Sequence, residues 1–338
     1  MLSLVHSKDS IKPRSEIPLL ETTDLTKTYS IGGGMFYEPL QLQAVSGVSI
    51  RVEKGRTLGI VGESGCGKST LSRMLAGLTP PTSGSILLDG RDVTGLPNAE
   101  RKRVLRDVQM VFQSPYSSLN PRMRVAEIVR EPLDVHMRSL SKRERDERAL
   151  HILNRVGISQ EMARRYPHQL SGGQQQRVGI ARALVSEVRL VICDEPVSAL
   201  DVSVQAQVIN LLRELQRSLG VAYIFVSHDL AVVANISDDI AVMYLGKVVE
   251  YGRAEDVLQR PRHPYTQALV DSANIPDPVI EKSRKPRILT GEIPRPTDPP
   301  SGCRFRTRCW MAQDRCAVET PALIPRGNSS QAVACHFA

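Results

Sequence analysis

Between residues 18 and 260 the chain alternates short apolar runs with longer amphipathic stretches, the pattern of an α/β domain built round a largely parallel sheet. The runs Thr57 to Val61, Ser85 to Leu88, Val108 to Phe112, Leu190 to Cys193 and Tyr223 to Val226 have strand length and predict strands. A polar block over roughly 118–187 separates the third from the fourth. Its charged run Ser141 to Arg148, followed by apolar residues at Ala149, Ile152, Leu153 and Val156, has helical spacing and predicts an inserted helical subdomain. After Arg260 the composition shifts. Pro294, Pro296, Pro299 and Pro300 exclude a continuous helix, so 261–338 reads as a loop-rich appendage whose order must come from something other than a large core. Residues 1–17 read as an N-terminal tail.

Length and composition narrow this picture. With 338 residues, 41% hydrophobic, the chain has room for one large domain and an appendage. Its strongest apolar stretches, Leu190 to Cys193 and Val221 to Val226, fall far short of the roughly 20 residues of a spanning helix. Met1 to Arg14 is polar and mixed in charge, unlike a secretory signal, which makes a cytoplasmic protein the expectation. The net charge of +8 permits attraction to nucleic acid or an anionic membrane surface. Cys66 and Cys193 are isolated, whereas Cys303, Cys309, Cys316 and Cys335 crowd into the final 36 residues. In a reducing compartment such a group reads as a metal or cluster site before it reads as disulfides.

Chemistry enters directly after the first predicted strand. Gly62-Glu63-Ser64-Gly65-Cys66-Gly67-Lys68-Ser69 is GxxxxGK[ST] between a strand and a helix that opens at Thr70. Such a loop curls its backbone N–H groups round phosphate oxygens, and the helix N-terminus adds positive potential. Gly62, Ser64, Gly65, Cys66, Gly67, Lys68, Ser69 and Thr70 are therefore candidate phosphate-binding residues. Lys68 carries charge to the β/γ-phosphates, and Ser69 offers its hydroxyl to Mg²⁺. Further on, the run Leu190 to Cys193 ends in Asp194-Glu195, two carboxylates at the C-terminal end of a buried strand, where ligands sit in open α/β sheets. Asp194 is placed to help hold Mg²⁺, and Glu195 to act as general base on an attacking water.

Leu170-Ser171-Gly172-Gly173-Gln174, lying between these two motifs, is similar to the LSGGQ signature of ATP-binding-cassette (ABC) transporter nucleotide-binding subunits. Gln113 resembles that family's Q-loop, Ser198-Ala199-Leu200-Asp201 its D-loop and His228 its switch histidine; Tyr29 falls where the family stacks an aromatic on adenine. The resemblance implies a P-loop NTPase cassette with a mostly parallel core sheet, an antiparallel β subdomain and an inserted helical subdomain. It implies ATP and Mg²⁺ as ligands. It also implies that Ser171, Gly172, Gly173, Gln174 and Asp201 serve the nucleotide of a second subunit, which a chain with one P-loop requires.

The tail extends the likeness. His263-Pro264-Tyr265-Thr266-Gln267-Ala268-Leu269, Gly291-Glu292-Ile293-Pro294 and Pro299-Pro300-Ser301-Gly302-Cys303 resemble the end of the F-type ATPase subunits of oligopeptide and dipeptide importers. That resemblance implies a heterodimer with a sister ABC ATPase, two transmembrane permease subunits, an extracytoplasmic solute-binding protein, a place on the cytoplasmic face of the membrane, and no nucleic-acid partner. Ser114 to Arg124 is the candidate permease contact. The spacing C-x5-C-x6-C-x18-C lacks the close pairs of zinc ribbons and the ferredoxin runs, so it does not name a metal. Arg304, Arg306, Arg308 and Arg315 lie nearby in sequence to offset four thiolates, and the subfamily resemblance favours a [4Fe–4S] cluster. A nickel or other small-solute importer of the same subfamily is the alternative. A soluble ABC ATPase acting on ribosomes or DNA is disfavoured, because the chain has neither a second cassette nor a long coiled-coil insertion.

Overall fold

The computed structural model describes residues 17–32, 39–272, 289, 291–326 and 330–338. The expected tail over 1–17, including Met1 to Arg14, lies outside the described residues except for Ile17. β1 (Leu20–Ile31), β2 (Leu40–Val48), β3 (Arg51–Val52), β5 (Ser83–Leu88) and β6 (Arg91–Asp92) form an antiparallel sheet in the order β2-β1-β5-β6, with β3 paired to β1. The larger sheet takes β4 (Thr57–Val61), β7 (Val108–Val111), β8 (Leu190–Asp194), β9 (Ala222–Ser227), β10 (Asp239–Tyr244), β11 (Lys247–Arg253), β12 (Ile324–Pro325) and β13 (Ala332–Val333). Its order is β12-β13-β11-β10-β4-β9-β8-β7, parallel from β10 to β7.

The five predicted strands are all present, and the mixed architecture matches the expected fold class. Every residue of β4, β8, β9 and β10 is buried, as parallel strands covered on both faces must be. Among the strands with no predicted run are β10 and β11. Their turn needs two residues at positive φ, and Leu245 (φ 43) and Gly246 (φ 80) supply them, although Leu245 is an unusual residue there. Between β7 and β8 the chain forms the helices Val125–His136, Lys142–Arg155 and Gly172–Leu184, which pack on one another. Ser141 caps the second: its hydroxyl accepts from Glu144 N, and the Glu144 carboxylate accepts from Ser141 N at 2.7 Å. Ala149, Ile152, Leu153 and Val156 all face the core.

The segment after Arg260 obtains its order differently from the expectation. It joins the main core. β13 adds to β11, pairing Val333 with Glu250, and Phe305 and Tyr265 are fully buried in the same apolar cluster as β9 and β10. Tyr244, Tyr265 and Phe305 meet with ring centroids 4.8–5.4 Å apart, spacings at which aromatic pairs contribute beyond their buried area. Glu250, fully buried, ties the junction by accepting from Arg262 N (2.8 Å), His263 N (3.0 Å) and Gln331 Nε2 (2.5 Å).

His263 makes this junction sensitive to acid. Its ring is buried, Nδ1 accepts from Tyr265 N at 3.1 Å, and burial lowers its pKa to about 3. The folded value lies below the ordinary imidazole value of about 6.5. The stability it contributes is therefore complete above pH ~6.5 and is lost as pH falls towards ~3. Burial pushes the Glu250 carboxyl up, which acts in the opposite sense: that contribution is present at low pH and lost as pH rises through the folded value. Comparison with His263→Gln separates the two. The variant is expected to show a flatter fall in melting temperature between about pH 6.5 and 3 than the parent; parallel profiles would contradict this assignment.

Candidate nucleotide site

The loop 62–67 leaves the C-terminal end of β4, the central parallel strand, and runs into the helix Lys68–Leu75. Gly67 sits at φ 104, and a Cβ there would lie 2.1 Å from the Ala44 carbonyl oxygen, so glycine is required on both grounds. Lys68 is buried, and its ammonium donates to the carbonyls of Gly62 (2.7 Å) and Glu63 (3.0 Å). An ammonium has three N–H groups. Two point to these loop carbonyls, and Cys66 Sγ lies 3.9 Å from the same nitrogen, so the loop surrounds the ammonium. Ser69 Oγ donates to Asp194 Oδ1 at 3.1 Å. Burial pushes the Asp194 carboxyl up, and this hydrogen bond opposes that shift.

Glu195 follows at the end of β8 with φ 47, a left-handed conformation unusual outside glycine and costly for glutamate. The strained backbone turns its carboxylate into the cleft. Oε2 accepts from Gln113 Nε2 at 3.0 Å and lies 3.3 Å from His228 Nδ1; Oε1 lies 4.0 Å from the Lys68 ammonium. Gln113 stands just beyond β7 and His228 just beyond β9, so three adjacent parallel strands and the phosphate loop bring these groups together.

A cleft of about 510 Å³ joins Tyr29, Ser64, Gly65, Gly67, Lys68, Ser69, Thr70, Gln113, Glu195 and His228. Gly62 and the buried Cys66 lie behind the loop, where burial raises the pKa of the Cys66 thiol. Tyr29 carries the Lys27 ammonium 5.1 Å from its ring centroid. Ala44 and Pro296 also line the cleft, and neither was a candidate. Gln43 N donates to the Pro296 carbonyl, which holds this part of the loop-rich segment at the rim. Mg²⁺ is commonly held by one or two carboxylates together with phosphate oxygens. Ser69, Asp194 and Gln113 offer that donor set beside the loop.

Ser171, Gly172, Gly173, Gln174 and Asp201 stand outside this cleft. Ser171 caps the helix Gly172–Leu184 in a reciprocal pair with Gln174, while Asp201 is exposed before the helix Val202–Leu219. A Cβ on Gly172 would meet Leu200, so the signature and the segment Ser198 to Asp201 form one surface.

The cysteine expectation needs correction. Cys303, Cys309, Cys316 and Cys335 are free and lie close enough to influence one another's ionisation. Burial, with the neighbouring thiols adding to it, pushes Cys309 up to about 11. Among the described residues, however, no group of three or more His, Cys, Asp or Glu side chains is arranged to hold a metal ion. The structure therefore does not support a [4Fe–4S] cluster. The cations expected to offset four thiolates are also committed elsewhere. Arg308 pairs with Glu63, Arg315 with Glu319, Arg304 binds the Leu245 carbonyl, and Arg306 donates to Ser301. No helix among the described residues is long and apolar enough to cross a membrane.

Comparison with known proteins agrees with this geometry. A family model described as ABC transporter matches residues 45–198, and one described as oligopeptide/dipeptide transporter, C-terminal region, matches 249–316. The chain is 50% identical over 320 residues to the oligopeptide transport ATP-binding protein OppF of Salmonella typhimurium, covering 94% of this chain and 95% of that one. It is 46% identical to the di/tripeptide transport ATP-binding protein DppF of Pseudomonas aeruginosa, covering 95% and 98%. Among solved structures, the dimeric ATP-binding cassette MJ0796 bound to ADP and Pi superposes with a TM-score of 0.62 at 32% identity, over 70% of this chain and 98% of that chain.

Proposed function

Because this chain belongs to the ATP-binding subunits of ABC transporters, we propose that it hydrolyses ATP to drive uptake of oligopeptides or dipeptides through a membrane importer. The observation that carries the catalytic reading is the convergence of Lys68, Ser69, Gln113, Glu195 and His228 on one cleft at the ends of parallel strands. The peptide reading rests on the relatives and on the matched C-terminal region, which favour it over nickel or another small solute.

The distances within the cleft support the following roles. The loop amides and Lys68 neutralise the β/γ-phosphates, and Tyr29 stacks on the base. Glu195, fixed by Gln113 and by its strained backbone, takes a proton from the attacking water. His228 is 55% exposed on the open side of Glu195, where it can hydrogen-bond the γ-phosphate. Bound Mg²⁺ would neutralise phosphate charge. Ser171 and the start of its helix do not line this cleft, which supports a second cassette supplying the signature that closes it. We infer a head-to-tail pair with a sister ATPase.

The permeases would dock beside Gln113. There a groove of about 540 Å³ exposes Leu78, Phe112 and Val135, with Ser118 and Arg182 at its wall, next to the candidate segment Ser114 to Arg124. This reading places the chain on the cytoplasmic face of the membrane beneath two permeases fed by a solute-binding protein.

Purification from membranes tests the assembly. The chain is expected to come with two permeases and a sister ATPase and to stay with them in salt. Recovery with nucleic acid, released as salt rises, would refute the transport reading.

A further inference from the structure

The phosphate-loop pattern leaves its second residue unspecified, yet Glu63 is among the most tightly held residues of the site. Its N–H donates to the Tyr265 hydroxyl at 2.8 Å. Its carbonyl accepts from Lys68 at 3.0 Å, and its carboxylate receives both arms of Arg308, at 2.6 and 3.0 Å. Both Tyr265 and Arg308 come from the segment after Arg260. The Arg308 side chain is only 5% exposed, and its guanidinium lies 5.9 Å from the Tyr244 ring centroid. Its N–H donates to the Phe305 carbonyl, which anchors it to the buried trio Tyr244, Tyr265 and Phe305. Arg304, one turn earlier, binds the Leu245 carbonyl and Gln43 Oε1. The neighbouring Gly246 N donates to the Cys66 carbonyl, and Gly67 packs on Ala44.

The C-terminal segment thus holds the phosphate loop at Glu63, through the Tyr265 hydroxyl and the Arg308 fork, while Arg304 reaches it only indirectly through Leu245 and Gln43. We propose that Arg308 is a positioning residue for nucleotide binding: its forked ion pair with Glu63, with the Tyr265 hydroxyl on the same residue, fixes the loop in the form that receives phosphate. A buried forked pair is directional as well as attractive. Losing either partner lets the loop and the Lys68 ammonium sample other arrangements, and binding must then order them. This inference rests on the reading of the cleft as an ATP site.

Charge and position make opposite demands on one variant. If Arg308 merely cancelled the Glu63 charge, Glu63→Gln would leave an extra cation near the phosphates and tighten binding. Under the positioning account, Glu63→Gln and Arg308→Met each weaken binding about tenfold, and the double variant is no weaker than either single one, since residues of one pair are not additive. Arg308→Lys, which keeps charge without the fork, falls between.

The measurement is equilibrium binding of a fluorescent ATP analogue with Mg²⁺ to the full chain, alongside thermal melting. The chain's single tryptophan, Trp310, two residues beyond Arg308, gives a second readout. ATP is expected to change its emission in the parent and to lose most of that change in Glu63→Gln. Parental affinity in folded Glu63→Gln, tighter binding, or losses that add in the double variant would each overturn the proposal. Should Arg308→Met not fold, Glu63→Gln and Arg308→Lys decide it. Failure of the parent chain itself to bind the analogue would instead refute the ATP site.

Discussion

Glu195→Gln is expected to slow steady-state ATP hydrolysis by roughly 10²- to 10⁴-fold, the range for loss of a positioned general base, while leaving ATP binding intact. Amide for carboxylate keeps the side chain's shape but removes its charge and its basicity, and turns one acceptor oxygen into a donor. The amide oxygen, turned toward Gln113 and His228, can take over the acceptor role of Oε2, and the left-handed backbone at residue 195 needs no change. With hydrolysis stopped and ATP still bound, the closed pair of cassettes should accumulate, and size-exclusion chromatography with ATP should show it. Near-parental turnover would remove Glu195 from the role of base.

Lys68→Ala is expected to act one step earlier. The ammonium is buried against two loop carbonyls, with Cys66 Sγ 3.9 Å and Glu195 Oε1 4.0 Å away. Its loss removes a charge-assisted hydrogen bond and leaves the Gly62 and Glu63 carbonyls without that donor. About 10- to 100-fold weaker nucleotide binding follows from the usual worth of a charged hydrogen bond. Hydrolysis at subsaturating ATP should fall with it. Isothermal titration with ATP and Mg²⁺ distinguishes this defect from that of Glu195→Gln, in which affinity is retained.

The candidate phosphate-binding residues were legible because the chemistry imposes local sequence: a glycine-rich loop between strand and helix, and carboxylates where a fully apolar strand ends. Gln113 and His228 became legible only through family resemblance, since a lone amide or imidazole in a loop has no pattern of its own. The hairpin of β10 and β11 went unread because Asp239 to Arg253 has neither clean alternation nor an Asn-Gly turn, and it tolerates Leu245 at positive φ. Glu63 and Arg308 are 245 residues apart, and nothing local in either sequence points to the other.

The cysteine group shows a different limit. Four arginines close in sequence to four thiols suggested charge compensation, yet Arg308 and Arg315 found carboxylates and Arg304 and Arg306 found oxygens. A guanidinium's fork matches carboxylate better than a single sulfur. The segment after Arg260 looked core-poor because its apolar residues are few. Phe305, Tyr265 and Val333 nevertheless reach the core of the cassette, so its burial is shared with residues far away in the chain.

The central claim, that ATP hydrolysis in this cleft powers peptide uptake, is tested most directly in proteoliposomes containing this chain, its sister ATPase and the two permeases, with peptide-loaded binding protein outside. The account predicts labelled-peptide uptake that requires ATP, is accompanied by phosphate release, and stops when Glu195→Gln replaces the parent. Uptake that continues with Glu195→Gln, or phosphate release that never responds to the loaded binding protein, would contradict it.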